Sequence, residues 1–209
     1  MTAPPLLLEP RSARRVAQAA KHLLLAAVLA CGLFDIAAGE ERIALNQRQL
    51  SIGFEVQSLG FWRIAGRFSE AWGELAFNPK EPIRSRLKVV ASTSSISTAS
   101  VSRDGHLRSV SFFDVGRHPI LTFESTRIEL TDQSAGIVTG NLSMLGVTRP
   151  IALAFRLRDR WREGAGPKSI RSQRFQASGV LRRSEWGMTA LIPAISDEVR
   201  LEIEANVSN

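Results

Sequence analysis

The chain has 209 residues, with 27 Lys and Arg against 20 Asp and Glu, a net charge of +7 and one cysteine, Cys31. The positive surplus is modest and interspersed with acids, and no basic patch is interleaved with aromatic residues of the kind that stack bases. We therefore expect no nucleic-acid partner.

The first 39 residues differ from the rest. A basic entry region is followed by the twelve-residue run Leu23–Phe34, which carries no charge. A run of this length is too short to span a bilayer, which takes roughly 20 residues, but it suits the apolar centre of a signal peptide. The small residues before Glu40 favour cleavage after Gly39. The sequence thus predicts a signal peptide over 1–39 and one domain over 40–209.

Export predicts a periplasmic or secreted protein whose domain contains no thiol, because Cys31 is removed. A domain without thiols excludes disulfide scaffolds, cysteine metal sites and thiol catalysis. Two less favoured readings stay open. Val28–Cys31 could form a lipoprotein box that leaves Cys31 acylated at the new N-terminus, or the apolar run could be a buried helix.

After residue 48 the dominant pattern is alternation of apolar and polar residues. Leu50, Ile52, Phe54 and Val56 alternate with polar or small residues, and the segments 151–157 and 198–207 repeat the pattern. Period-two alternation predicts half-buried β-strands. Further strand candidates are 63–68, 72–77, 86–95, 121–130, 136–144 and 174–181.

About nine strands with short connections predict a single antiparallel β-barrel or a sandwich. Only Ser102–Phe113 breaks the rhythm, and there Ser102 or Asp104 is expected to cap a short helix. Glycines in or beside the strands, such as Gly66 and Gly140, favour a sheet that curls and closes. The interior of a barrel of about eight strands is either filled by side chains or holds one ligand.

Several motifs now resemble the YceI-like proteins, secreted bacterial barrels associated with binding polyisoprenoid lipids. The resemblance covers residues 48–208. It rests on Gly66-Arg67-Phe68, Gly73-Glu74-Leu75-Ala76-Phe77, Ser95-Ile96-Ser97-Thr98, Arg103-Asp104-Gly105-His106-Leu107-Arg108-Ser109, Phe112-Phe113-Asp114-Val115, His118-Pro119-Ile120, Phe123-Glu124-Ser125, the segment 140–150 (GNLSMLGVTRP) and Arg183-Ser184-Glu185-Trp186-Gly187-Met188. Ser143 stands at a usual threonine, His118 at a common tyrosine, and the family's opening motif is not clear around 45–51.

The resemblance implies a lipocalin-like β-barrel that binds a long isoprenoid lipid of the polyprenyl or quinone type. It requires no cofactor besides that lipid. The side chains expected to line the interior are Phe54, Phe68, Leu75, Phe77, Leu107, Phe112, Phe113, Phe123, Met144, Trp186 and Met188. The rival hypothesis is a structural or stress-response protein with a packed core that acts through its surface.

No catalytic constellation is evident, so we do not expect an enzyme. Asp104 and His106 are two residues apart on the expected helix and do not face each other. A metal site from His106, His118 and a nearby aspartate is disfavoured by the eleven-residue gap between the histidines. The basic segment 158–174 suits a solvated hairpin tip better than a headgroup site, although contact with a membrane surface stays open, as does a homodimer.

Overall fold

The computed structural model describes residues 40–78, 80–163 and 170–208, and most of these residues lie in β-strands. The strands are β1 (Glu41–Leu45), β2 (Leu50–Ser58), β3 (Trp62–Phe68), β4 (Ala71–Phe77), β5 (Arg86–Ser92), β6 (Ile96–Ser97), β7 (Ile120–Leu130), β8 (Ala135–Met144), β9 (Val147–Glu163), β10 (Ile170–Arg182) and β11 (Ile195–Ser208). One α-helix, α1 (Val101–Arg108), follows β6. Short 3-10 turns occupy Pro82–Arg84, Thr93–Ser95 and Arg183–Trp186. The prediction of an antiparallel all-β domain with one short helix is confirmed.

The strands form one sheet in the order β1-β4-β5-β7-β8-β9-β10-β11-β2-β3-β6, and neighbouring strands are antiparallel. Strands β7 to β11 follow one another as a meander. β1 stands at one end of this order and β2 near the other, yet only residues 46–49 join them. Such a short link brings the two ends of the sheet together, so the sheet curls into a half-barrel.

Alternation sorts the side chains between the two faces of this sheet. In the ladder between β2 and β11, Ile52 pairs with Ile203 and Phe54 with Leu201. These residues face the interior, while Ser51, next to Ile52 on β2, is exposed. The period-two pattern of the sequence therefore predicts correctly which side chains point inward.

Phenylalanine rings cover glycines on neighbouring strands inside the curled sheet. Phe54 lies opposite Gly66, and a Cβ on Gly66 would clash with the Phe54 ring. A Cβ on Gly140 would clash with the Phe123 ring and with the carbonyl oxygen of Glu124. Glycine at these two positions is thus required by close packing, as the sequence predicts for a curling sheet.

A large aromatic side chain is fully buried where the β10–β11 connection meets β8. Trp186 is 1% exposed, and its indole Nε1 donates a hydrogen bond of 3.1 Å to the Leu142 carbonyl. Phe68 stacks edge-on against Phe113, with 5.6 Å between ring centroids. Within the described part of the chain, no helix has both the length and the apolar character needed to cross a bilayer.

Three details of the sequence prediction are wrong. The expected strand 86–95 stops at Ser92, because Thr93 turns away and bonds the segment before β7: its N–H donates to the Pro119 carbonyl and its hydroxyl to the His118 carbonyl. Strands β1 and β6 were not expected, since five and two residues are too few to show alternation.

The third error concerns the helix cap. The helix begins at Val101, with Ser100 at the N-cap position and no side-chain cap hydrogen bond. Ser102 and Asp104 lie inside the helix. Asp104 does not cap because its carboxylate is taken by Thr98, which lies ahead of the helix.

Candidate functional site

The curled sheet encloses a cavity of about 400 Å³. This volume lies within the usual range for small-molecule sites, about 300–1,000 Å³. Its wall is built by β2, β3, β5 and β7 to β11, together with α1 and the segments around Phe112 and Met188. Among the described residues, the polar members of its lining are Thr98, Ser100, Ser102, Arg103, His106 and Arg183. The cavity is therefore a mostly apolar space with a few polar side chains in its lining.

Period-two strands supply the apolar wall. On β11, Val199, Leu201 and Ile203 line the cavity, and on β9 Ile151 and Leu153 do so. Alternate residues of one strand point to the same face, so each of the strands that build the wall contributes two to four side chains. The result is a wall of aliphatic and aromatic groups that cannot hydrogen-bond to water or ligand.

Eight of the eleven residues predicted from the sequence line this cavity. They are Phe54, Phe68, Leu107, Phe112, Phe113, Phe123, Met144 and Met188. Leu75 and Phe77 do not line it: both lie on β4, which contributes nothing to the wall, and both are partly exposed. Trp186 is also outside the lining, because it is packed into the core beside Leu142. Contact of the eight residues with a ligand stays a prediction.

The prediction missed most of the aliphatic wall. It ranked residues by size and so favoured Phe, Trp and Met. The missing members are mainly β-branched residues and leucines: Ile52, Val56, Ile64, Leu87, Val89, Leu121, Val138, Leu142, Ile151, Leu153, Leu181, Leu191, Ile195, Val199, Leu201 and Ile203. Alternation was the signal that could have found those on β2, β9 and β11, since the pattern already assigned them to an inner face.

Helix α1 is held against β6 by hydrogen bonds to charged side chains. The Asp104 Oδ1 atom accepts from the Thr98 N–H at 2.8 Å and from its hydroxyl at 2.6 Å. Arg103 donates from Nε to the Thr98 hydroxyl and from Nη2 to its carbonyl. Arg108 donates to the carbonyls of Ser94 and Ile96. Because α1 is fixed in this way, Ser102, Arg103 and His106 face the cavity from a defined position.

The hydrogen bond from the Thr98 hydroxyl lowers the pKa of Asp104. The Thr98 N–H and the charges of Arg108 and Arg103 act in the same direction, while burial opposes them. Asp104 is therefore ionised at neutral pH, and its carboxylate accepts hydrogen bonds from Thr98. His106 is exposed. The two residues act separately in this structure, as their spacing on a helix predicts.

Arg183 braces the β10–β11 connection from inside. Its side chain is only 3% exposed and donates to four backbone carbonyls, those of Met188, Ala190, Ile195 and Ser196, at 2.9–3.0 Å. Burial lowers the pKa of Arg183, and the charge of Asp197 opposes that change. The guanidinium thus fixes the segment that carries Met188 and Leu191 into the cavity wall.

Asp197 holds the same connection from its other side. It accepts hydrogen bonds from the Ser184 N–H at 2.8 Å and the Ser184 hydroxyl at 2.7 Å. Burial raises the pKa of Asp197, but these hydrogen bonds and the charges of Arg183 and Arg182 outweigh it, so the net shift is downward. The carboxylate is therefore ionised and structural.

No group of three or more His, Cys, Asp or Glu side chains is placed to hold a metal ion within 40–78, 80–163 and 170–208. In the basic segment, Arg158 donates to Gln176, and Arg174 pairs with Asp159 at 3.5 Å. The tip of that hairpin, 164–169, lies outside the described residues. The predicted signal peptide 1–39 and Cys31 lie outside them as well.

Comparison with known proteins agrees with this architecture. A UPF0312 protein of Pseudomonas paraeruginosa is 33% identical over 184 residues, which cover 87% of this chain and 94% of that protein. Two solved structures are similar in fold. BcnA from Burkholderia cenocepacia matches with a TM-score of 0.65 at 16% identity, covering 79% of this chain and 99% of that one. A polyisoprenoid-binding domain from Saccharophagus degradans matches with a TM-score of 0.56 at 14% identity, covering 79% and 97%.

At such low identity the two structures establish a common fold and nothing further. The model of the YceI-like domain matches residues 44–207, the whole of the sheet except parts of its first and last strands. This match and the identity to the Pseudomonas protein bear out the resemblance found in the motifs. The chain belongs to the YceI-like family.

Proposed function

We propose that this protein is a periplasmic binding protein that carries a long apolar isoprenoid lipid, of the polyprenyl or quinone type, in the interior of its sheet. The observation that carries the proposal is the cavity of about 400 Å³ with its apolar wall. The fold shared with a polyisoprenoid-binding domain supports it. The rival, a solid-core protein acting through its surface, calls for an interior filled by Phe and Trp and is less compatible with this cavity.

We further infer that the half-barrel closes into a complete lipocalin-like barrel. Strands β1 and β2 are separated only by residues 46–49, β3 and β4 only by Ser69 and Glu70, and β5 and β6 only by the turn Thr93–Ser95. β4 pairs with β5, and β3 pairs with both β6 and β2. If the two strands on either side of each of these short links form one bent strand, the hydrogen-bonded ladders run around a ring of eight strands. This closure is supported by the cavity lining, because its side chains come from strands all around the proposed ring: β2, β3, β5 and β7 to β11.

Lipid binding in such a cavity follows from burial. Each methylene group removed from water contributes ~0.8 kcal/mol, so a prenyl chain gains affinity with every isoprene unit that enters. The polar groups of Ser100, Ser102, Arg103 and His106 can donate hydrogen bonds to a quinone carbonyl or a phosphate oxygen. The tail therefore lies along the apolar wall, with the headgroup beside α1.

The export step is part of the proposal. It is supported by the basic entry region, the apolar run Leu23–Phe34 and the small residues before Glu40. Mass spectrometry of the protein recovered from a periplasmic fraction tests it. We expect a chain that begins at Glu40, and a periplasmic chain retaining residues 1–39 or an acylated Cys31 would contradict this cleavage.

The lipid proposal is tested by native mass spectrometry of the purified protein and by titration with a prenylated quinone. We expect a co-purified mass in the range of an isoprenoid lipid and saturable quinone binding. The test variant is Ala177→Phe, because Ala177 lines the cavity on β10 and a ring there fills it. Ala154→Phe is the matched control, since Ala154 is an exposed residue on the neighbouring strand β9.

Ala177→Phe is expected to weaken quinone binding roughly tenfold or more, because the ring takes up space the prenyl chain would occupy. Ala154→Phe should bind as the wild type does. Equal binding by both variants would place the ligand elsewhere, and ligand-free protein that binds no prenylated quinone would support the solid-core rival.

A further inference from the structure

Large apolar side chains are exposed around the α1 end of the cavity. Leu59, Phe61 and Trp62 in the β2–β3 hairpin are 63%, 69% and 63% exposed, and Leu191 is 62% exposed. Val101, the first residue of α1, is 91% exposed. Soluble proteins scatter exposed apolar residues singly, whereas a group of them around an opening marks a contact surface.

These residues are brought together by the fold. The Leu59 N–H donates to the Ala194 carbonyl at 2.7 Å, which joins the hairpin tip to the β10–β11 connection. The rings of Phe61 and Trp62 lie 5.4 Å apart. Val101 stands between Ser100 and Ser102, which both line the cavity. We call Leu59, Phe61, Trp62, Val101, Leu191 and Ile192 the mouth rim.

The rim is continuous with the interior. Leu191 belongs to the cavity lining and is also largely exposed, so its side chain connects the apolar wall with the outer surface. Ile64 on β3 and Ile195 on β11 line the cavity directly beside the hairpin and the connection. A lipid tail leaving the cavity here would pass from one apolar surface to the next.

The charge of the rim segments has one sign. The stretches 58–63, 99–103 and 189–195 contain two arginines, Arg63 and Arg103, and no acidic residue. The Arg63 side chain is 73% exposed, and its Nε atom lies 3.8 Å from the Glu55 Oε1 atom on β2, outside these stretches. Exposed aromatic groups flanked by arginine suit the boundary between lipid headgroups and acyl chains, where tryptophan accumulates and arginine contacts phosphate.

We propose that the mouth rim docks on the surface of a lipid bilayer that contains anionic headgroups, so that the cavity opens directly onto the membrane. This inference rests on the proposed lipid-carrier function. Docking inserts Phe61, Trp62 and Leu191 below the headgroups, and the isoprenoid moves between bilayer and cavity without crossing water. A second copy of the chain would cover the rim equally well but would close the lipid's exit.

The test is flotation with phosphatidylcholine vesicles, with and without phosphatidylglycerol. The test variant Phe61→Ser with Trp62→Ser removes two rim residues that do not line the cavity. The matched control Ile83→Ser with Leu130→Ser removes two exposed apolar residues on the β4–β5 connection and at the end of β7, neither of which lines the cavity. Each protein is also titrated with prenylated quinone in the absence of vesicles.

We expect the wild type and the control to float with the vesicles, more strongly with phosphatidylglycerol, and the rim variant to partition roughly tenfold or more weakly. All three should bind quinone alike. Wild-type protein that binds quinone but not vesicles would overturn the docking surface and leave the carrier function standing. Loss of quinone binding in every form would overturn the carrier function. A wild-type dimer that the rim variant converts to monomer, without vesicle binding, would assign the rim to a second copy.

Discussion

Asp104 lies two residues from His106 but has a structural role, which its hydrogen bonds explain. Its carboxylate accepts two hydrogen bonds from Thr98, within 2.8 Å. Arg103 contacts Thr98 from the other side. The hydrogen-bonded Asp104 side chain stabilises the protein and fixes the position of α1. Arg103 and His106, on the same helix, are thereby held in the cavity lining.

The lowered pKa of Asp104 makes this contribution depend on pH. A carboxyl group with a folded pKa below its ordinary value of 3.8 stabilises the protein fully above that value, and the stabilisation is lost as the pH falls through the folded pKa. Asp104→Asn should therefore lower Tm at neutral pH. The difference in Tm between the wild type and Asp104→Asn should become smaller below pH 3.8.

Melting curves from neutral to acidic pH measure this effect. Glu204→Gln, which changes an exposed carboxylate on β11, serves as the control and should follow the wild type. A constant difference in Tm between Asp104→Asn and wild type at every pH would mean that the Asp104 charge is not what stabilises the helix.

At the scale of elements, phenylalanine rings lie on glycines of neighbouring strands, as Phe123 does on Gly140. Gly140→Ala on β8 should destabilise the protein by about 1–3 kcal/mol, because a methyl group there meets the Phe123 ring and the Glu124 carbonyl. Gly105→Ala is the control. Gly105 lies in α1 with no atom within 4 Å of an added Cβ, so alanine should stabilise the helix by up to about 1 kcal/mol.

Urea unfolding of the two alanine variants measures both effects. A destabilisation of equal size in both would show that the Gly140 result reflects a general cost of substituting glycine rather than the close approach of Phe123 and Glu124.

Elements could be predicted from the sequence where a local pattern was long enough. β2 and β11 were found because alternation persists over several pairs, and α1 because it interrupts that rhythm. β6, with two residues, carries no such signal, and its pairing with β3 is set by distant chain segments. The cap of α1 was missed for a different, local reason: the Asp104 carboxylate accepts hydrogen bonds from Thr98, and that contact depends on how the chain enters the helix.

The cavity itself was predictable only in part. Alternation indicates which side chains face inward, as for Phe54 and Phe123, but not whether they meet across the interior. Whether inward-facing side chains touch across the interior depends on the curvature of the whole sheet, which is the sum of small bends and twists at all of its strand pairs. Leu75 and Phe77 were expected in the lining because β4 alternates like its neighbours, whereas no residue of β4 lines the cavity in the structure.

At the scale of the whole molecule, an unfilled interior should make stability depend on its ligand. A lipid that binds only the folded state stabilises it by roughly 2.7 kcal/mol at a free concentration of ~100 Kd, which raises Tm by about 5–10 °C for a domain of this size. We expect this rise on adding a prenylated quinone to the wild type and to Ala154→Phe, and little rise for Ala177→Phe.

Differential scanning fluorimetry of lipid-free protein, at increasing quinone concentration, provides the measurement. A short-chain quinone without the prenyl tail is the control ligand and should shift Tm only slightly, because it buries little apolar area. Equal shifts with both ligands would locate the stabilising contact at the headgroup instead of along the tail.

The pairing of β2 with β11 has a consequence for how the protein comes into being. Ile52 and Ile203, partners in that ladder, belong to the first and last parts of the domain to be synthesised. Contacts between such distant segments form slowly, and none of the intermediate strands can enclose a space before the final one arrives. The cavity is therefore the last feature of the domain to form, because its wall is incomplete until β11 pairs with β2.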